Sequence, residues 1–173
     1  MKWSTRQIVL GAVFCALGVL FPVLFHFVAL GSVFLPMFLP LLIVGFVVDA
    51  PLAVAVGFLT PLISSVVTGM PPVSPPIAPL MAIEGAVLSG TASLLYRRMH
   101  LGLWVTMIVA IAGERCILFI AAYFFAPLLG IPGEVLSLIS VVKGLPGVAM
   151  LLVAAPIAVR KLEERLGTMG VRP

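Results

Sequence analysis

Apolar residues run along this chain in long blocks, interrupted by short clusters of Pro, Gly and charge. Blocks of this length read as helices rather than strands, and the punctuation divides the chain into six of them. They cover about 6–28, 34–48, 51–67, 80–96, 101–129 and 134–159. The turn Asp49-Ala50-Pro51 separates the second from the third, and a proline-rich loop from Met70 to Pro79 separates the third from the fourth. Fusing the second and third into one kinked helix would leave five.

The solvent for these helices follows from composition. Hydrophobic residues make up 62% of the 173 and charged residues only 9%, with a mean hydropathy of +1.31. A soluble domain is about half apolar and about a quarter charged, so the expected solvent is lipid. A spanning helix needs roughly 20 apolar residues, and the length fits about six crossings in a single all-α transmembrane domain, 1–173, with no room for a soluble catalytic domain. The apolar run after Lys2 and Arg6 extends from Ile8 to Val28, longer than a signal-peptide core, and reads as the first span.

Charge arbitrates between five and six crossings, because short cytoplasmic loops are enriched in Lys and Arg. With six, Lys2, Arg6, Arg97, Arg98, Arg160, Lys161, Arg165 and Arg172 all fall on one side, and no loop on the other carries a basic residue. Six spans with both termini cytoplasmic are therefore expected. The formal charge of +4 reflects this topology and not a nucleic-acid partner. Three uncharged loops, near 29–33, 68–79 and 130–133, remain outside; the middle one is stiffened by Pro71, Pro72, Pro75, Pro76 and Pro79, and serves as a cover for a pocket mouth or as a spacer.

Arg115, Lys143, Glu84 and Glu114 are not accounted for by loops, and Glu134 starts the sixth span. A charge at the bilayer centre costs about 2.5–3.5 kcal/mol on insertion scales, so such groups face the bundle interior, pair, or line a cavity. Glu84 is expected about one turn below the outer end of its span, Arg115 and Glu114 near mid-span, and Lys143 two to three turns down. They form either buried pairs that fix helix packing or a polar pocket in which Lys143 or Arg115 meets an anionic or strongly polar ligand group. The segment Lys143-Gly144-Leu145-Pro146-Gly147 is expected to interrupt the sixth span and free backbone carbonyls there. His26 reads as an interfacial residue without a role.

On the first span Gly11, Ala12, Cys15, Ala16 and Gly18 suggest a small-residue face, used for internal packing or for docking another protein. Cys15 and Cys116 lie in apolar stretches without metal-ligand spacing and read as buried packing residues. Neither a phosphate loop, a zinc-protease motif nor a nucleophile elbow is present. No enzyme, cofactor or metal is expected.

Several stretches together resemble the substrate-binding S component of energy-coupling factor (ECF) vitamin transporters. They are Phe34-Leu-Pro-Met-Phe-Leu-Pro40, Leu59-Thr-Pro-Leu-Ile-Ser-Ser65, Thr68-Gly-Met-Pro-Pro72, Met81-Ala-Ile-Glu84 and Lys143-Gly-Leu-Pro-Gly147. Ala12-x-x-x-Ala16 is similar to the alanine motif by which these components dock on a shared coupling subunit. Two departures stand out: Phe38 where relatives often carry His, which puts a ligand contact there in doubt, and Asp49 where Gly is commoner, expected to be neutral for binding. The resemblance implies a six-helix S-component bundle in a prokaryotic cell membrane that binds a vitamin or related micronutrient from outside. It also implies as partners a coupling transmembrane subunit and two ATPase subunits, which would hydrolyse the ATP. On this chain it implicates Met70, Met81, Glu84, Arg115 and Lys143 in substrate binding and Ala12 and Ala16 in docking. The alternative is a small homo-oligomeric secondary transporter or channel using Glu84 or Glu114 as a proton site; an assembly scaffold that binds no ligand is a further rival.

Overall fold

A computed structural model describes residues 3–27, 36–74, 76–125 and 144–168. They form α1 (Thr5–Phe27), α2 (Phe38–Val47), α3 (Ala50–Thr68), α4 (Ile77–Ser93), α5 (Leu103–Ile120) and α6 (Leu145–Thr168), with no strand among the described residues. α4 and α5 each continue into one π-helical turn, Leu94–Arg98 and Ala121–Phe125. Five of these helices are long and apolar enough to cross a membrane, and α2 is shorter. Outward faces carry large apolar side chains, among them Val9, Val13 and Leu20 on α1 and Trp104, Ile108 and Phe119 on α5. Surfaces of this kind have no place in water; the architecture is that of a multi-pass, all-α membrane protein.

The second element differs from expectation. Its ten residues rise about 15 Å, half of a hydrocarbon core of roughly 30 Å. Pro36 and Met37 form a turn, and Pro40 sits in the first turn of α2, where a missing N–H is tolerated. Apolar on every side, α2 is buried from Pro40 to Val47, and α1, α3, α4 and α6 all pack against it.

The tightest packing joins α3 to α4. A Cβ on Gly57 would strike the Gly85 carbonyl and the Ser89 hydroxyl, and a Cβ on Gly85 would meet the Gly57 carbonyl, so the two backbones touch. Gly45 lets α2 approach Ala92 and the Ser89 carbonyl in the same way. Absent side chains permit this van der Waals contact, the main source of helix association in lipid. Ser89 Oγ lies 2.8 Å from the Ala53 carbonyl and 2.7 Å from the Gly85 carbonyl, its one proton serving either, and Ser93 Oγ donates to the Val48 carbonyl at 2.7 Å.

The small-residue face expected on α1 divides in two. Gly11 packs on Val56 and Leu52 and Gly18 on Thr60, all of α3, whereas Ala12 and Ala16 point outward and are exposed. Cys15 is half-buried, but Cys116 is exposed, contrary to its expected burial, because it shares the outward side of α5 with Ala112 and Phe119.

One end of the bundle gathers the charge. Asp49, in the α2–α3 turn, accepts from Gln7 Nε2 at 2.8 Å and pairs with Arg97 Nη2 at 3.1 Å. Arg97 Nη1 also donates to the Val47 carbonyl at 3.4 Å, and Tyr96 OH donates to Glu163 Oε1 at 2.6 Å. The start of α1, the α2–α3 turn, the end of α4 and the last turns of α6 therefore meet, which brings Arg6, Arg97, Arg98, Arg160 and Lys161 to a common end. Lys2 and Arg172 lie outside the described residues. Asp49 acts here as a tie between three elements. Because the pair is half in solvent, Asp49→Ala is expected to lower stability by less than about 1 kcal/mol, seen as a small drop in the thermal midpoint in detergent.

At the sixth element the sequence Gly144-Leu145-Pro146-Gly147 starts the helix. The Val148 N–H donates to the Gly144 carbonyl at 3.1 Å, and Pro146 occupies the first turn. α6 then continues to Thr168, past the expected end at 159. Lys143, Glu134 and the loops at 29–33 and 130–133 lie outside the described residues, as does the side chain of His26.

Candidate functional site

α4 descends from the uncharged end towards Arg97, and α5 rises from Leu103 at the charged end beside it. Glu84 is seven residues past Ile77, about 10 Å down the helix, and Glu114 is eleven residues past Leu103, about 16 Å up. Helix α4 starts three residues earlier than expected, so Glu84 sits two turns below the helix start, not one. The two carboxylates and Arg115 come to similar depth, and Glu84 senses the charges of both Glu114 and Arg115.

All three are withdrawn from the surface. Glu84 is 3% exposed and Glu114 1%, and the Arg115 side chain is largely buried. Arg115 Nε lies 3.0 Å from Glu114 Oε2, a charge contact between sequence neighbours that lacks hydrogen-bond alignment. Glu84 Oε1, Glu114 Oε1 and Arg115 Nε and Nη2 are buried without a hydrogen-bond partner among the described residues. Buried polar groups are normally satisfied, so four such atoms without a partner among the described residues make this cluster the candidate site.

Met81 lies three residues before Glu84 on α4, hence on the same side one turn nearer the uncharged end, and is half-buried against the core. Met70 follows α3 at that end. Its carbonyl accepts from Ser64 Oγ at 2.7 Å and lies 3.1 Å from Thr68 Oγ1, while its side chain is exposed. Gly69 closes α3 with φ +75°, a left-handed cap that glycine adopts freely. The structure thus brings together Glu84, Glu114 and Arg115, with Met81 one turn from Glu84 on α4; Met70 lies at the loop after α3, and Lys143 lies outside the described residues.

Two features of the charged end escaped the sequence. Gln7, Asp49 and Arg97 are far apart along the chain, and only the alternation of helix direction predicts their meeting. A cleft of about 430 Å³ opens there between Tyr96, Arg97, His100, Leu101, Leu103 and Glu163. It is remote from Glu84, which lies 13 residues, about 20 Å, up α4 from Arg97.

No protein-family model, curated protein or solved structure matches the chain. Chemically, the cluster offers two carboxylate acceptors and one guanidinium donor in a buried, largely apolar surrounding. It suits the binding of a polar group and also the holding of a proton. Among the described residues no group of three or more His, Cys, Asp or Glu could hold a metal ion.

Proposed function

We propose that this chain is the solute-binding S component of an ECF-type importer for a vitamin or related micronutrient, with six spans and cytoplasmic termini in a prokaryotic plasma membrane. The observation that carries this reading is the cluster of Glu84, Glu114 and Arg115, buried in a largely apolar bundle with polar atoms that have no partner among the described residues. Ionisable groups held inside a membrane bundle are costly and are retained for binding or transport. Glu84 and Arg115, with Lys143, hold the polar end of the solute, and Met81 and Met70 cover its apolar part. Ala12 and Ala16 dock the coupling subunit; their exposure on α1 supports this. The chain itself is not an enzyme, and ATP hydrolysis belongs to two partner ATPase subunits. The basic residues gathered at one end of the bundle favour that end as cytoplasmic.

Denaturing the detergent-purified protein and identifying the released small molecules by mass spectrometry tests the reading. About one vitamin-like molecule per chain is expected, and Lys143→Ala should reduce its retention. The same two buried carboxylates favour one other reading, a secondary transporter. Proton-driven uptake by the chain alone in liposomes, together with release of only lipid and detergent, would put that reading in place of the first.

A further inference from the structure

The cleft at the charged end carries both signs of charge on its walls. Tyr96 and Arg97 enter it from the π-helical turn of α4, Glu163 from α6, and Leu101, Gly102 and Leu103 from the start of α5. Arg97 is held by the Asp49 carboxylate and the Val47 carbonyl, which use two of its five N–H donors. Glu163 takes the Tyr96 proton on Oε1, and a carboxylate has lone pairs for further donors. Both charged groups are therefore fixed in position with bonding capacity left. The start of α5 adds N–H groups: Gly102 supplies no side-chain cap, and the Thr106 N–H donates to the Gly102 carbonyl, leaving the N–H groups before it without a helical partner. Beside them His100 stands at φ +54°, the one non-glycine residue with a positive φ among the described residues. Such a conformation costs free energy and is found disproportionately at ligand sites.

The surface next to the cleft is apolar and open. Met99, Trp104 and Val105 are each about half exposed, and tryptophan at the end of a spanning helix marks the membrane–water boundary. A ligand that fills both regions has a polar head for the cleft and apolar chains for the lipid-facing side of α5. Basic pockets between helix ends hold lipid phosphates in this way, but Glu163 requires a donor as well. We propose that the cleft binds the headgroup of a membrane lipid carrying a phosphate and a primary ammonium, the phosphoethanolamine type. The phosphate meets Arg97 and the N–H groups at the start of α5, and the ammonium donates to Glu163. A glycerol headgroup brings no positive charge to that bond, and a quaternary ammonium has no N–H to donate. The discrimination rests on Glu163 itself and not on a summed charge. Glu134 and Lys143 belong to the stretch between Phe125 and Gly144, both of which lie towards the uncharged end of the bundle.

The test uses the full chain, stripped of lipid and returned to detergent micelles with equal amounts of phosphatidylethanolamine, phosphatidylglycerol and phosphatidylcholine. Bound lipid is identified by native mass spectrometry. Phosphatidylethanolamine should be retained over each of the others by about ten-fold, the worth of one hydrogen bond to a charged group. Glu163→Gln keeps an acceptor for Tyr96 while removing the charge, and should abolish that preference. Glu164→Gln removes the same charge from the next residue, exposed and outside the cleft, and should leave it intact. Equal retention of the three lipids, as follows if Arg160, Lys2 or Arg172 neutralises Glu163, overturns the proposal. So does a preference for either other lipid, or the same response from both variants. The wild-type ratio reads independently of whether Glu163→Gln folds. Soluble phosphoethanolamine that displaces the bound lipid at equal concentration would overturn the lipid as the occupant.

Discussion

Arg115→Ala is expected to cost about 3–5 kcal/mol of stability, the range for removing one member of a buried charge pair. The substitution leaves Glu114, 1% exposed, buried without the guanidinium that pairs with it, and near Glu84, 3% exposed. Lost packing of the arginine stem adds to the effect. Chemical unfolding in detergent checks it, with the double variant Glu114→Gln/Arg115→Ala as the discriminating control. If uncompensated charge is the cause, the double variant should recover most of the loss. If the stem's packing is the cause, it should be no more stable than the single variant.

A comparable effect is expected from Gly57→Val, for a reason unrelated to charge. Overpacking a filled interior typically costs about 1–3 kcal/mol because side chains shift to make room. At Gly57 the obstacles are the Gly85 carbonyl and the Ser89 hydroxyl. A carbonyl in a helix cannot rotate away, so α3 and α4 must separate, and a loss of about 3 kcal/mol or more follows. Gly113→Ala is the control: among the described residues its new methyl would meet only Val87 Cγ1, at an ordinary 3.5 Å. The first variant should melt well below the parent and the second close to it, as read by thermal unfolding monitored by size-exclusion.

Much of the fold was legible in the sequence because lipid imposes simple rules. The apolar blocks mark the helices, and the placement of Arg97-Arg98 and of the basic tail predicts the end at which they gather. Where prediction and structure differ, local chemistry decides. Pro40 and Pro146 both fall in first turns, where a missing N–H costs nothing, and so mark where α2 and α6 begin. The helix contacts were less legible. Small residues at helical spacing are common in membrane chains, and nothing in Ala12-x-x-x-Ala16 distinguishes it from Gly85-x-x-x-Ser89. Neighbouring helices make that distinction, by covering the second pair and leaving the first exposed.

The candidate cluster divides the same way. That Glu84, Glu114 and Arg115 must face inward follows from the cost of charge in lipid. The contact that engages Arg115 with its own neighbour depends on side-chain geometry, which no spacing rule supplies. Asp49, expected to be neutral for binding, takes a structural part that sequence spacing does not show: it joins Gln7 to Arg97 across the charged end.

The burial of α2 has a consequence for how the protein is made. Only about 15 Å long and covered on every side, α2 is no free-standing stop in the stepwise insertion of a growing chain. One of the helices that cover it is α6, which starts at Leu145, almost 100 residues after α2 ends. The centre of the bundle therefore closes late in biosynthesis, when α6 reaches the membrane. A ribosome that stalls before Leu145 leaves behind a nascent chain with its most apolar helix uncovered on one side, a natural target for membrane quality control.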